Sequence, residues 1–211
     1  MSKNIYLFST SSYPDTIHIN SLDTTLFTPS IDFSNYDYLI ITSKQVAKAL
    51  EGYERESYIK LPALCVSLQS AKSYQELGGK VLELGSGYGD NLIQVIQRYP
   101  QDTKWLYLRA KEVASNFVEN SKNDGYIIDE AIVYETSCSK EIKTPQVEED
   151  GILIFTSPSS VKCFLQNNQI KQTQKVVVIG KTTAKSLPKN VNFVISGETT
   201  IESCVKIAKT L

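Results

Sequence analysis

The chain repeats itself, and that constrains its fold more than any other feature. The segment YDYLIITSKQVAKAL (36–50) aligns with DGILIFTSPSSVKCF (150–164) at a constant offset of 114. Apolar positions coincide, Thr42-Ser43 falls on Thr156-Ser157, and Lys48 falls on Lys162. The next stretch, CVSLQSAKSY (65–74), aligns with VIGKTTAKSL (178–187) at an offset of 113, so Ala71-Lys72-Ser73 returns as Ala184-Lys185-Ser186. VLEL (81–84) and its glycine-rich loop then parallel NFVI (192–195) and SGETT (196–200). Generic strand-helix periodicity gives one such match by chance. Two in a row, in near-constant register, indicate two copies of one unit.

The repeated unit has a readable architecture. Short apolar runs at Ile5–Phe8, Tyr38–Ile41, Val81–Leu84, Trp105–Leu108, Ile152–Phe155, Val176–Ile179 and Phe193–Ile195 suit strands buried on both faces. Small polar residues follow them, then segments with helical spacing such as Val161, Phe164, Leu165 and Leu92, Val95, Ile96. Strand, polar turn and helix in alternation predict an α/β fold with parallel sheets in two similar domains.

Charge and cysteine content exclude several functions. Lys and Arg number 22 against 23 Asp and Glu, for a net charge of −1, which argues against nucleic-acid binding through a basic surface. No apolar stretch approaches the length of a membrane span, and the N-terminus lacks a signal-peptide core. Four scattered cysteines with no Cys-x-x-Cys pair, and His18 as the one histidine, make a closed zinc site a poor expectation. The expectation is a cytoplasmic protein with reduced, buried or incidental thiols.

VLELGSGYG (81–89) invites a nucleotide-binding reading, as in an S-adenosylmethionine-dependent methyltransferase, because Gly85, Gly87 and Gly89 follow a strand and precede a helix. Such a site wants an acidic residue closing the next strand to hold ribose hydroxyls. That strand, WLYLR (105–109), ends in Arg109. The glycines are read instead as a tight strand-to-helix turn with Asp90 at the helix start.

The turns after the repeated strands are the candidates for chemistry, since ligands of open α/β sheets sit beyond the carboxyl ends of strands. Thr42-Ser43-Lys44, Thr156-Ser157-Pro158-Ser159-Ser160 and Gly180-Lys181-Thr182-Thr183 offer hydroxyls and helix-start amides, suited to carboxylates or phosphates. The competing reading is that these Ser and Thr residues simply cap helices.

FTSPSSV (155–161), VIGKTTAKSL (178–187), WLYLR (105–109) and AIVYET (131–136) resemble the signature segments of uroporphyrinogen-III synthases. YLIITSKQVAKAL (38–50) resembles the first-copy form of the Thr-Ser turn. The resemblance runs from about residue 36 to the C-terminus. It departs at the N-terminus, where Ser9-Thr10-Ser11 replaces an Arg-Pro pair, and at Ser70, where the second copy carries a threonine.

The resemblance implies two flavodoxin-like domains joined by a two-stranded β connection, with crossings near 25–33 and 132–139. Domain 1 would be discontinuous (1–26 and 140–211), domain 2 would be 27–139, and substrate would lie in the cleft between them. It implies cyclisation of hydroxymethylbilane to uroporphyrinogen III, with loss of water and inversion of ring D, by a monomer without metal or organic cofactor. Tyr134 matches the family's candidate general acid. Thr42, Ser43, Ser157, Ser159, Thr182 and Thr183 match its substrate-binding turns. Arg109 could meet a substrate carboxylate or form a structural salt bridge, and His18 is read as a surface residue. A methyltransferase, or a non-catalytic two-domain binder of an anionic ligand, are the alternatives.

Overall fold

In a computed structural model, residues 3–85, 87, 89–113 and 115–211 are described. Among them the strands are β1 (Ile5–Ser9), β2 (Ile17–Asn20), β3 (Leu22–Leu26), β4 (Tyr38–Ile41), β5 (Ala63–Cys65), β6 (Val81–Leu84), β7 (Lys104–Ala110), β8 (Ile127–Cys138), β9 (Ile152–Phe155), β10 (Lys175–Val178) and β11 (Phe193–Ile195). The helices are α1 (Lys44–Leu50), α2 (Arg55–Tyr58), α3 (Leu68–Glu76), α4 (Leu92–Ile96), α5 (Phe117–Asn123), α6 (Lys140–Lys143), α7 (Pro158–Leu165), α8 (Lys181–Ala184) and α9 (Ile201–Ala208). The chain forms two compact units. Unit 1 comprises Met1–Asp23 and Ser137–Leu211, and unit 2 comprises Thr24–Thr136.

Unit 1 carries a sheet in the order β11-β10-β9-β1-β2, and unit 2 one in the order β3-β8-β7-β4-β5-β6. The ladders joining β11 through β2 are parallel, as are those joining β8 through β6. Beside β3, the backbone amide of Phe27 donates to the Val133 carbonyl at 2.8 Å.

The sequence duplication becomes a topological one. Counting from β4, unit 2 runs third, second, first, fourth, fifth; counting from β9, unit 1 shows the same order, with β1 and β2 in the places of β7 and β8. Tyr38 lies opposite Trp105 where β4 meets β7, and Ile152 lies opposite Ile5 where β9 meets β1. The units are therefore circularly permuted relatives, and each has a switch point where its strand order reverses: β4/β7 and β9/β1.

The burial explains the all-apolar strands. Both faces of β4 and β9 are covered, so alternate side chains enter different cores. In unit 2, Leu39 and Ile41 pack with Val46, Leu50 and Tyr74, while Ile40 faces Leu92, Ile96, Trp105 and Phe117. In unit 1, Phe8 stacks on Phe155 at 4.8 Å with Phe164 edge-on, and Leu7, Ile154 and Val177 pack on the Cys204 and Val205 face of α9. Serines start the helices. Ser67 and Ser157 each close a capping box with the serine three residues on, and Ser43 caps α1. Each such cap contributes about 1 kcal/mol.

One expectation is corrected. Cys138 and Cys163 form a disulfide across 25 residues, with Cα atoms 5.4 Å apart, so not all thiols are reduced. The cause is tertiary: the end of β8 meets α7, within the range a disulfide spans. Cys65 and Cys204 are free and buried.

Candidate functional site

The carboxyl ends of β4 and β7 flank a cavity of about 240 Å³ lying wholly within unit 2. Thr42, just beyond β4, Tyr107 on β7, Tyr134 on β8 and Ser115 bring hydroxyl-bearing side chains to its lining. Gly87, Gly89, Glu112 and Ser115 form part of the wall.

Strand geometry places these groups. Tyr107 sits opposite Ile40, and its hydroxyl shares a 3.0 Å hydrogen bond with Thr42 Oγ1. Burial pushes the Tyr107 phenol above its ordinary pKa and nearby Tyr134 adds to the rise, while the Thr42 bond opposes it. Tyr134 reaches the cavity because the β7–β8 register slips: Arg109 faces Ile132 but Ala110 faces Tyr134. Val133 is thus the extra residue of a bulge, a device that re-aims the side chain beside it. Tyr134 is 8% exposed, and its carbonyl accepts from the Lys111 amide at 2.8 Å.

Gly87 has a φ of +92°, and a side chain there would point into open space. The turn expected from sequence over 85–89 lies partly outside the described residues, but Gly87 and Gly89 wall the cavity that holds Thr42 and Tyr134. A Cβ at Gly89 would come within 2.8 Å of Ser115 Cβ, so the lack of a side chain lets these two walls approach. Ser115 in turn donates to Asp90 Oδ1.

Of the residues singled out from sequence, Thr42, Ser43 and Tyr134 lie in unit 2, and Ser157, Ser159, Thr182 and Thr183 in unit 1. The structure brings Thr42 and Tyr134 to one cavity. Ser43 is occupied as a cap, accepting from the Gln45 amide at 3.2 Å. Ser157 accepts from the Ser160 amide at 3.0 Å, while the Ser160 hydroxyl donates to the Ser157 carbonyl at 2.7 Å. Ser159 and Thr182 are exposed, whereas Thr183 is buried within α8. Arg109 serves structure: its Nη1 donates to the Ala110 and Lys111 carbonyls at 2.9 and 3.0 Å, and its Nε lies 3.4 Å from Glu130. His18 Nε2 lies 3.0 Å from the Ser9 carbonyl.

Tyr107, Glu112, Ser115 and the wall role of Gly87 and Gly89 were not recognised from sequence. The Trp105–Leu108 run reads as core, and nothing in it marks which side chain reaches the strand end. The glycines were the one available signal.

Two parallel α/β units related by permutation, with hydroxyl-bearing turns at their strand ends, define a duplicated α/β enzyme class. Residues 16–206 match the family model described as uroporphyrinogen-III synthase HemD, and the chain belongs to that family of cyclising lyases. The fold agrees. A uroporphyrinogen-III synthetase from Helicobacter pylori is similar over 99% of both chains, with 23% identity and a TM-score of 0.77. A mutant uroporphyrinogen III synthase from the extremely thermophilic bacterium Thermus thermophilus is similar over 98% of this chain and 99% of its own, with 14% identity and a TM-score of 0.57. No curated protein matches the sequence significantly. Neither the family nor the fold favours the methyltransferase or the non-catalytic binder. Among the described residues, no helix is long and apolar enough to cross a membrane.

Proposed function

We propose that the chain converts hydroxymethylbilane to uroporphyrinogen III, with Tyr134 as the general acid that starts the reaction. The observation that carries this role is the presence of Tyr134 and Thr42 in one cavity at the switch point of unit 2. The C–O bond of the ring A hydroxymethyl breaks, its electron pair leaves on oxygen, and that oxygen takes the Tyr134 proton and departs as water. The pyrrole nitrogen donates its lone pair, leaving an azafulvenium cation beside a phenolate. Ring D attacks through its substituted carbon, the resulting spiro intermediate fragments, and reclosure at the free carbon inverts the ring. The proton released there restores Tyr134, so the net change is loss of one water.

Conformational control decides the product, because the uncatalysed closure gives the unrotated isomer. Thr42 binds substrate beside Tyr134, while Ser43 in unit 2, and Ser157, Ser159, Thr182 and the backbone amide of the buried Thr183 in unit 1, hold substrate carboxylates. The exposure of Ser159 and Thr182, each beyond the carboxyl end of a strand, supports this assignment. The protein acts as a cytoplasmic monomer without metal or organic cofactor. Supplying fresh hydroxymethylbilane, oxidising the products and resolving isomers I and III by chromatography tests the reading. Isomer III in excess over the enzyme-free control is expected; its absence overturns the assignment.

A further inference from the structure

The unit 2 cavity has the wrong charge for the most abundant groups of its substrate. Hydroxymethylbilane carries eight carboxylates, yet among the described residues no Lys, Arg or His lines this cavity, and Glu112 is the one charged residue of its lining. Among the described residues nothing neutralises that carboxylate. Lys111 is turned to Glu135 at 3.0 Å, and Arg109 faces Glu130. Among the described residues Glu112 makes no hydrogen bond or ion pair, and it is exposed.

The cavity has room for a ring. A volume of about 240 Å³ exceeds the roughly 150 Å³ that accommodates benzene, so one pyrrole can enter while the rest of the substrate lies outside its open mouth. A group that suits an unneutralised carboxylate brings an N–H donor or a positive charge. A pyrrole has the first, and the azafulvenium formed from it has both.

We propose that Glu112 is a catalytic carboxylate that accepts the N–H of the pyrrole carrying the hydroxymethyl group and stabilises the cation formed when water leaves. The proposal rests on the synthase reading and extends it to which part of the substrate enters unit 2. The attraction grows as the positive charge develops, so it lowers the barrier more than it favours ground-state binding. In the ground state the same charge repels a polyanion. A glutamate at this position therefore accelerates the chemistry while opposing association.

These opposite effects give the test. Steady-state kinetics of isomer III formation are measured for the wild-type protein and for Glu112→Gln, which retains size and the ability to accept a hydrogen bond but loses the charge. A fall in kcat of about tenfold or more is expected, with KM unchanged or lower and melting temperature unaltered. Glu112→Lys should reduce kcat further while lowering KM. A kcat for Glu112→Gln within twofold of wild type overturns the proposal, and so does a KM that rises as kcat falls. If the wild-type protein makes no isomer III, both this proposal and the synthase reading fall. An active wild type with an unaffected Gln variant removes only the role of Glu112.

Discussion

Opening the Cys138–Cys163 bridge should selectively destabilise unit 1, because both cysteines lie in that unit. The bridge spans 25 residues, and the chain-entropy relation for a loop of that length gives about −12 cal/mol/K, or about 3.5 kcal/mol at 25 °C. Unit 1 has roughly a hundred residues, and at about 2.1 cal/mol/K each its unfolding entropy is ~0.2 kcal/mol/K. The expected fall in the unit 1 melting temperature is therefore on the order of 15 °C, with the transition of unit 2 left in place. Scanning calorimetry with and without reductant measures it, and alkylation followed by mass analysis confirms that the bridge opened. Cys65 and Cys204 are buried and should remain unlabelled in the native protein, so labels at 138 and 163 report the bridge alone. Full labelling at both positions with a shift below about 3 °C would refute the loop-entropy reasoning.

The remaining predictions concern the site and the two cores. Tyr134→Phe should lower kcat by roughly 100-fold with little change in KM, as expected for loss of a general acid; unchanged turnover in the isomer assay removes Tyr134 from the chemical step. Phe155→Ala removes a ring stacked on Phe8 and met edge-on by Phe164, and should cost about 3–5 kcal/mol in denaturant unfolding. Gly151→Ala would bring a methyl group within 2.7 Å of the Tyr6 ring and should cost about 1–3 kcal/mol by the same measurement. Burial pushes the Cys65 thiol up to about 12, from 9.0. Between those values the unfolded chain has released the proton that the native protein keeps, so this contribution to stability is whole below pH 9 and falls as pH rises toward 12. Denaturant melts across that range should show the decline, and Cys65→Ala should reduce its slope.

The central strands were legible because parallel strands covered on both faces demand continuous Val, Ile and Leu. Tyr38–Ile41 and Ile152–Phe155 have the bounds read from sequence. So do Val81–Leu84 and Phe193–Ile195, but these are edge strands, β6 mostly half-buried and β11 exposed, so the expectation of burial on both faces fails for them. The strands β3 and β8 were not legible. β3 reads LDTTL, and β8 runs for 12 residues with scattered polar positions, so neither gives a simple apolar run. The disulfide was invisible for a related reason. Nothing near Cys138 or Cys163 in sequence tells that a strand end and a helix will meet. In the cavity, the Thr42 turn and Tyr134 could be found through the repeat and the family resemblance. Tyr107 and Glu112 could not, because their importance depends on which walls converge.

The permuted order of the units has a consequence for the growing chain. By residue 138 every strand of the unit 2 sheet has been synthesised, and its neighbouring pairs can form at once. Unit 1 must wait. Its first strand belongs beside β9, so Ile5 meets its partner only when Ile152 has been made. An N-terminal segment destined for the middle of a sheet is thus held unpaired on that side while an entire unit folds after it. Closing so long a loop is slow, and a released chain truncated between residues 138 and 152 should show a protease-resistant unit 2 behind an accessible N-terminal segment.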